Sequence, residues 1–145
     1  MTTIAWDGVD LAADRRVSYG TMSDANTTKI SKTKKGLCGA AGNTAMCAAF
    51  RRWFESGEKG DPPVLAKDGE SATACIIRPD GSRFMYDAFG WYEVDPGPFA
   101  LGSGWEVAMG ALRNGASAPS AVKIASSIDG ATGLQVDVLY HGQSD

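Results

Sequence analysis

The chain has 145 residues, of which 43% are apolar and 21% charged, as expected for one globular domain with a core. A net charge of −3 disfavours nucleic acid as a partner, and no apolar stretch is long enough to span a bilayer. Three cysteines without CxxC spacing and a single histidine predict a reducing, cytoplasmic location, with no metal and no cofactor. The amino terminus lacks the basic-then-apolar pattern of a signal peptide.

The first half of the chain predicts antiparallel strands followed by a helix. The predicted strands cover residues 2–7, 9–14, 27–33 and 37–41. Asp7-Gly8 marks a hairpin turn, and the polar residues 18–26 are predicted as a loop. A helix opens at Gly42-Asn43-Thr44, and its apolar stripe lies opposite Arg51 and Arg52.

The second half of the chain predicts more strands and two helices. Pro62-Pro63 and several glycines make residues 57–71 a loop. The predicted strands cover residues 72–78, 82–88, 91–94 and 135–141, and Pro96-Gly97-Pro98 leads to Phe99-Ala100-Leu101. Helices are predicted over 105–112 and from a cap at Ser117 to Ile128. This order favours a single α+β domain over residues 1–145, with helices on the outer faces of packed antiparallel sheets.

Thr2 directly follows Met1 at the start of the first predicted strand. Once the methionine is removed, this residue carries a hydroxyl nucleophile and an α-amine whose pKa is roughly 7.7–8.0, close to neutrality. Such a nucleophile needs a cation, a carboxylate to hold that cation, and backbone N–H groups for an oxyanion. Lys29, Asp14 and the Gly42 turn are the candidates that the sequence offers.

Six short motifs occur in the order found in one protein family. They are Thr2-Thr3-Ile4-Ala5 with Asp7-Gly8, Leu11-Ala12-Ala13-Asp14-Arg15-Arg16, Lys29-Ile30, Ala41-Gly42-Asn43-Thr44, Ala100-Leu101-Gly102-Ser103-Gly104 and Asp129-Gly130-Ala131-Thr132-Gly133. Each motif alone is common, but the ordered set spans both ends of the chain. The chain thereby resembles the proteasome β-subunit family of N-terminal-nucleophile (Ntn) hydrolases, which includes the bacterial HslV protease. Within that family it resembles a small bacterial or phage-type member.

The resemblance implies a four-layer αββα sandwich and a threonine-type peptidase that acts through an acyl-enzyme. It would make Thr2 the nucleophile and its own α-amine the base. Lys29 would lower the pKa of the Thr2 hydroxyl, with Asp14 as its ion-pair partner. The N–H of Gly42 would stabilise the oxyanion. The remaining implied catalytic residues would form a hydrogen-bonded cluster that orients the amine and its water: Ser103, Asp129 and Thr132, a threonine where the family typically has serine.

The resemblance also implies a pocket for the side chain before the scissile bond. By position, its lining would be Val17, Thr27, Ser31, Ala40 and Thr44. These small, mildly polar residues predict a roomy pocket without a fixed charge. The substrate would be a peptide or an unfolded protein.

Residues 57–71 occupy the place of the family's second long helix, which is therefore expected to be shortened or missing here. Because those helices help to stack rings, the implied homo-oligomer could be a single or a double ring of six or seven subunits. An ATP-dependent unfoldase partner is open as well, since the tail past His141 is short. With no segment between Met1 and Thr2, maturation is expected to need only methionine removal.

Two other interpretations stay open from the sequence. A non-catalytic ring or shell protein would keep the fold for assembly, and it would keep Met1. A small-molecule amidase or acylase of the Ntn class would act on small amides as an open monomer or dimer.

Overall fold

The computed structural model describes residues 2–19, 22–128 and 135–142. Within them the strands are β1 (Thr3–Trp6), β2 (Asp10–Asp14), β3 (Arg16–Tyr19), β4 (Met22–Asn26), β5 (Ile30–Thr33), β6 (Gly36–Gly42), β7 (Ala66–Lys67), β8 (Glu70–Ile77), β9 (Arg83–Asp87), β10 (Gly90–Val94), β11 (Phe99–Gly102) and β12 (Val136–Tyr140). The helices are α1 (Thr44–Glu55), α2 (Trp105–Arg113) and α3 (Ala118–Ile128). The chain is thus a mixed arrangement of helices and antiparallel sheets.

Two antiparallel sheets contain most of the strands. The first sheet has the order β11-β1-β2-β12, and the second has the order β10-β9-β8-β6-β5, with β7 paired to β8. Strands β3 and β4 form a separate antiparallel pair. The register of the first sheet pairs Ile4 with Ala13 and with Leu101, so the start of the chain lies in the sheet interior between β2 and β11. This central position fixes where Thr2 emerges.

Asp7 ties the first hairpin to the third helix. One carboxylate oxygen accepts hydrogen bonds from the N–H groups of Val9 (2.8 Å) and Asp10 (2.7 Å), which closes the turn between β1 and β2. The other oxygen accepts the N–H of Ala118 at 2.7 Å, at the start of α3. The Ser117 hydroxyl also accepts a hydrogen bond from the N–H of Ser120 in the first turn of α3.

Three hydrophobic clusters hold the elements together. One contains residues of both sheets, among them Ile4, Leu11, Ile30, Leu37 and Ile77. A second joins α1 to the second sheet through Phe50, Phe54 and Ile76. The third joins α2 and α3 to the first sheet through Ala5, Ala12, Ala108 and Val122. Strand β1 is buried on both faces because two of these clusters share it, which is why its sequence shows only weak alternation.

Most predicted elements are confirmed, with boundaries shifted by a few residues, and one prediction is wrong. Residues 18–26 were expected to form a loop, but they overlap strands β3 and β4. Within the described residues these strands pair with each other and with no other strand, and their sequence lacks the alternating apolar pattern that predicts a strand. Residues 57–71, predicted as a loop, contain no helix, as expected from their prolines and glycines, but they do contain the short strand β7 and the start of β8.

In the part of the chain that the structure describes, none of the helices combines the length and apolar character needed to cross a membrane.

Candidate active site

Thr2 lies at the entrance to β1 and is 6% exposed. The N–H of Thr3 donates to a carboxylate oxygen of Asp14 at 3.0 Å, and the Ser103 hydroxyl donates to the backbone carbonyl of Thr2 at 3.4 Å. Gly102 has φ +95°, and a Cβ there would overlap the Thr2 carbonyl. The chain therefore needs a glycine at this position for β11 to approach Thr2 so closely.

Asp14 and Lys29 form a buried ion pair beside this strand. The Lys29 ammonium contacts both carboxylate oxygens of Asp14 at 3.0 Å, with Asp14 fully buried and Lys29 6% exposed. The N–H of Arg16 donates to the same carboxylate at 3.2 Å. Burial lowers the pKa of Lys29, and the charge and hydrogen bonds of Asp14 only partly oppose this. The pair thus holds a cation that is poorly solvated near Thr2.

Gly42 and the start of α1 form another wall of the site. Gly42 has φ +119°, and a Cβ there would lie 2.6 Å from the carbonyl oxygen of Ser71. The next N–H, of Asn43, donates to that oxygen at 2.9 Å, while the Asn43 side chain accepts the N–H of Met46 and caps the helix. The amino terminus of a helix carries partial positive charge, which favours an anion at this wall.

A small cavity of about 40 Å³ opens beside Thr2. Four of the five predicted substrate-binding residues line it together with Thr2 and Lys29: Val17, Thr27, Ala40 and Thr44. The fifth, Ser31, lies in an adjoining groove, where its hydroxyl donates to Glu55 at 2.8 Å. Arg51 lines both spaces and so stands between Ser31 and the cavity.

The cavity differs from the roomy, uncharged pocket predicted from the sequence. Arg16 and Arg51 line it in addition to Lys29, so its walls carry fixed positive charge. Cys47 also lines it, and burial raises the pKa of this thiol to about 11, offset in part by the charge of Lys29. The sequence predicts Arg51 on the face of α1 opposite its apolar stripe. In the structure α1 lines the cavity with Thr44, Cys47 and Arg51. Their spacing of three, four and seven residues is the signal that could have found them.

A second and wider space, of about 490 Å³, lies on the other side of Thr2. Its walls include Gly42, Ser103 and Glu70. Both spaces are lined by Thr2, Gly42 and Thr44, so Thr2 lies where the two spaces meet. An extended ligand could place one part on each side of Thr2.

Within the described residues, the other candidates for catalytic or metal-binding roles do not add to this site. Asp129 and Thr132, predicted from the last motif, lie outside the described residues. The single histidine, His141, contacts Trp6 and the carbonyl oxygen of Arg78 and lines neither space beside Thr2. Among the residues that the structure describes, no group of three or more His, Cys, Asp or Glu is placed to hold a metal ion.

The comparisons with known proteins rest on structure. No family model matches the sequence, and no curated protein matches it. Eukaryotic HslV from Trypanosoma brucei matches with a TM-score of 0.70 at 22% identity, over 96% of this chain and 98% of that chain. The fold is HslV-like. Thiobacillus denitrificans BPH also matches, with a TM-score of 0.70 at 20% identity, over 96% of each chain. At these identities the likeness concerns the fold alone.

Proposed function

We propose that this chain is a threonine peptidase whose nucleophile is the hydroxyl of Thr2, exposed as the first residue after removal of Met1. The observation that carries the proposal is the placement of Thr2, next to the buried Asp14–Lys29 pair and between two spaces. A buried ion pair is a weak source of stability, since apolar replacements are often neutral or stabilising. The role that we assign to this pair is therefore to lower the pKa of the Thr2 hydroxyl.

In the proposed reaction, the α-amine of Thr2 accepts the hydroxyl proton while the oxygen attacks a peptide carbonyl. The N–H of Gly42, at the start of α1, stabilises the resulting oxyanion. The C–N bond then breaks as the amine returns the proton to the leaving nitrogen. The acyl half is held as an ester until water, activated by the same amine, releases it.

The remaining assignments orient this reaction. Ser103 contacts the backbone of Thr2 and would help to position its amine. Asp129 and Thr132 would complete that cluster. Val17, Thr27, Ala40 and Thr44 would contact the side chain before the scissile bond, and Ser31 would act at the edge of the pocket. We propose a four-layer αββα stack, and the three hydrophobic clusters support this layering.

We also propose that the chain assembles into a ring of six or seven copies, single or double, in the cytoplasm, where it would degrade peptides or unfolded proteins. The HslV-like fold supports this proposal. So does a group of large apolar side chains that the chain leaves in water: Phe89 is 99% exposed, and Val64 and Trp91 are more than half exposed. An ATP-dependent unfoldase would be the corresponding partner. Native mass spectrometry of the full chain would give the number of copies.

The intact mass of the protein, before and after treatment with a β-lactone and with a peptide epoxyketone, tests the nucleophile. A β-lactone needs only a reactive hydroxyl, whereas the epoxyketone also needs a free α-amine on the same residue. We expect a mass without Met1 and one adduct with each reagent. Thr2→Ala should take neither adduct, and Thr2→Ser, which keeps a hydroxyl, should take both. A chain that retains Met1 and takes no adduct would contradict the proposal and favour a structural ring protein.

A further inference from the structure

We propose that Arg51 makes the small cavity select a short acidic side chain, such as that of aspartate, at the residue whose carbonyl Thr2 attacks. This inference rests on the proposed peptidase function and adds a substrate class to it. It comes from the charge, the size and the preformed geometry of the cavity.

The charge of the cavity walls is one-sided. Arg16, Lys29 and Arg51 line the cavity, and within the described part of the chain no carboxylate does. The carboxylates that pair with Lys29 and Arg51, those of Asp14 and Glu55, are not among the lining residues. Because Lys29 and Arg51 line the cavity and their partner carboxylates do not, the cavity favours an anionic side chain over a cationic one.

Arg51 is already held in place for such a ligand. Its Nε donates to Glu55 at 3.4 Å, and its Nη1 donates to the backbone carbonyl of Thr28. A guanidinium has five N–H donors, and in the described residues no contact engages Nη2. The side chain is 19% exposed, so it is ordered against the protein before any ligand arrives. Binding a carboxylate there would lose little side-chain freedom.

The size of the cavity sets the length of the side chain. A volume of about 40 Å³ holds only a few water molecules, because one water needs roughly 10–15 Å³ of such space. A cavity that binds a benzene ring is of the order of 150 Å³, several times larger. Aspartate therefore suits the cavity in both charge and length, while phenylalanine fits in neither.

Cys47 does not oppose this selection. Burial raises the pKa of its thiol to about 11, so the group is uncharged near neutral pH and does not repel a carboxylate. The cavity therefore keeps its positive sign under the conditions in which the amine of Thr2 would act as base.

The test compares kcat/KM for acylated peptides that differ only in the residue before a fluorogenic leaving group: Asp, Asn, Ala, Lys and Phe. Asp and Asn have the same shape, so their ratio isolates the charge. We expect Asp to exceed Asn about ten-fold, the size of one charge-assisted hydrogen bond, with Lys and Phe the poorest. Arg51→Gln should bring the Asp-to-Asn ratio close to one, and Arg51→Lys should keep part of it.

Arg52→Gln is the matched control, because it removes the same charge from the exposed neighbour on α1 and should leave the ratio unchanged. A ratio does not depend on the amount of folded protein, so a partly unfolded variant stays informative. Cleavage of these peptides with an Asp-to-Asn ratio of one, or a preference that Arg51→Gln does not reduce, would overturn this inference alone. No cleavage of any peptide and no inhibitor adduct on Thr2 would overturn the proposed function and this inference together.

Discussion

Among the ion pairs that connect distant parts of the described chain, Asp14–Lys29 and Glu58–Arg78 differ in whether burial or the partner charge dominates the pKa shift. In the Asp14–Lys29 pair, burial lowers the pKa of Lys29 despite the adjacent carboxylate. In the Glu58–Arg78 pair, whose second contact is 2.8 Å long, the hydrogen bond from Arg78 lowers the pKa of Glu58 and outweighs burial. Arg78 likewise has a raised pKa, chiefly because of Glu58. In the first pair the loss of hydration dominates, whereas in the second pair the attraction between the partners dominates.

The difference distinguishes the pair that we propose to be functional from one that stabilises the fold. Asp14 and Lys29 are 0% and 6% exposed, so their charges are held where water cannot support them. Glu58 and Arg78 join the end of α1 to the turn between β8 and β9 and keep contact with solvent. Only the second arrangement is explained by stability, and only the first adjoins Thr2.

Among the substitutions that test the difference between these two pairs, Lys29→Ala should have the largest effect. It leaves the Asp14 carboxylate buried without its cation, so we expect a loss of about 3–5 kcal/mol in the free energy of unfolding and no measurable peptidase activity. Urea denaturation and a fluorogenic peptide assay measure the two.

The control for this variant removes both charges but keeps an acceptor for the N–H of Thr3. Asp14→Asn combined with Lys29→Met should be more stable than Lys29→Ala alone and equally inactive. Activity in either protein would rule out the proposed role of Lys29.

A second effect concerns pH. Activity should rise as the amine of Thr2 loses its proton, near its ordinary pKa of about 7.7–8.0. Activity should fall again at high pH, because Lys29 must stay charged. Burial lowers the pKa of Lys29 from its ordinary value of 10.5, so this fall should begin before the pH reaches 10.5. Over the same alkaline range the contribution of Lys29 to stability should rise, since the unfolded chain binds more protons there than the folded one.

Lys29→Arg tests the assignment of the alkaline limb, because a guanidinium keeps its proton throughout this range. If this variant is active, its alkaline limb should move to higher pH or disappear. An unchanged limb would mean that another group titrates.

The smallest effect comes from Glu58→Gln. We expect a loss of roughly 0.2–1 kcal/mol at pH 7, typical of partly exposed pairs, and unchanged kcat/KM. Because the pKa of Glu58 lies below its ordinary 4.5 in the folded chain, the difference from the unaltered protein should be constant above pH 4.5. It should vanish as the pH falls through the folded pKa. Thermal melts at several pH values would show this, and a difference that grows in acid would contradict it.

The elements and the two key charges could be predicted from the sequence because their signals are local. Turn residues and apolar spacing predict most strands and all three helices. Asp14 and Lys29 stand out as charges within predicted strands, although Lys29 lies just before β5 in the structure. The charge of the cavity could not be read in the same way. Arg51 lies on a polar face of α1, and only the packing of that helix against the second sheet turns it towards Thr2. The pair β3 and β4 escaped prediction because residues 18–26 are mostly polar and lack an alternating apolar pattern.

The burial of the first residues also has a consequence for the order of events in the life of the protein. Thr2 is nearly inaccessible, and the N–H of Thr3 is bonded to a carboxylate inside the fold. An aminopeptidase needs a loose chain end, and burial and hydrogen bonding decide whether a terminus is loose. In the proposed maturation, Met1 therefore leaves while the chain is still being synthesised, before β2 and β11 enclose β1. Timing on the ribosome, rather than a later processing step, would then determine how many copies become active.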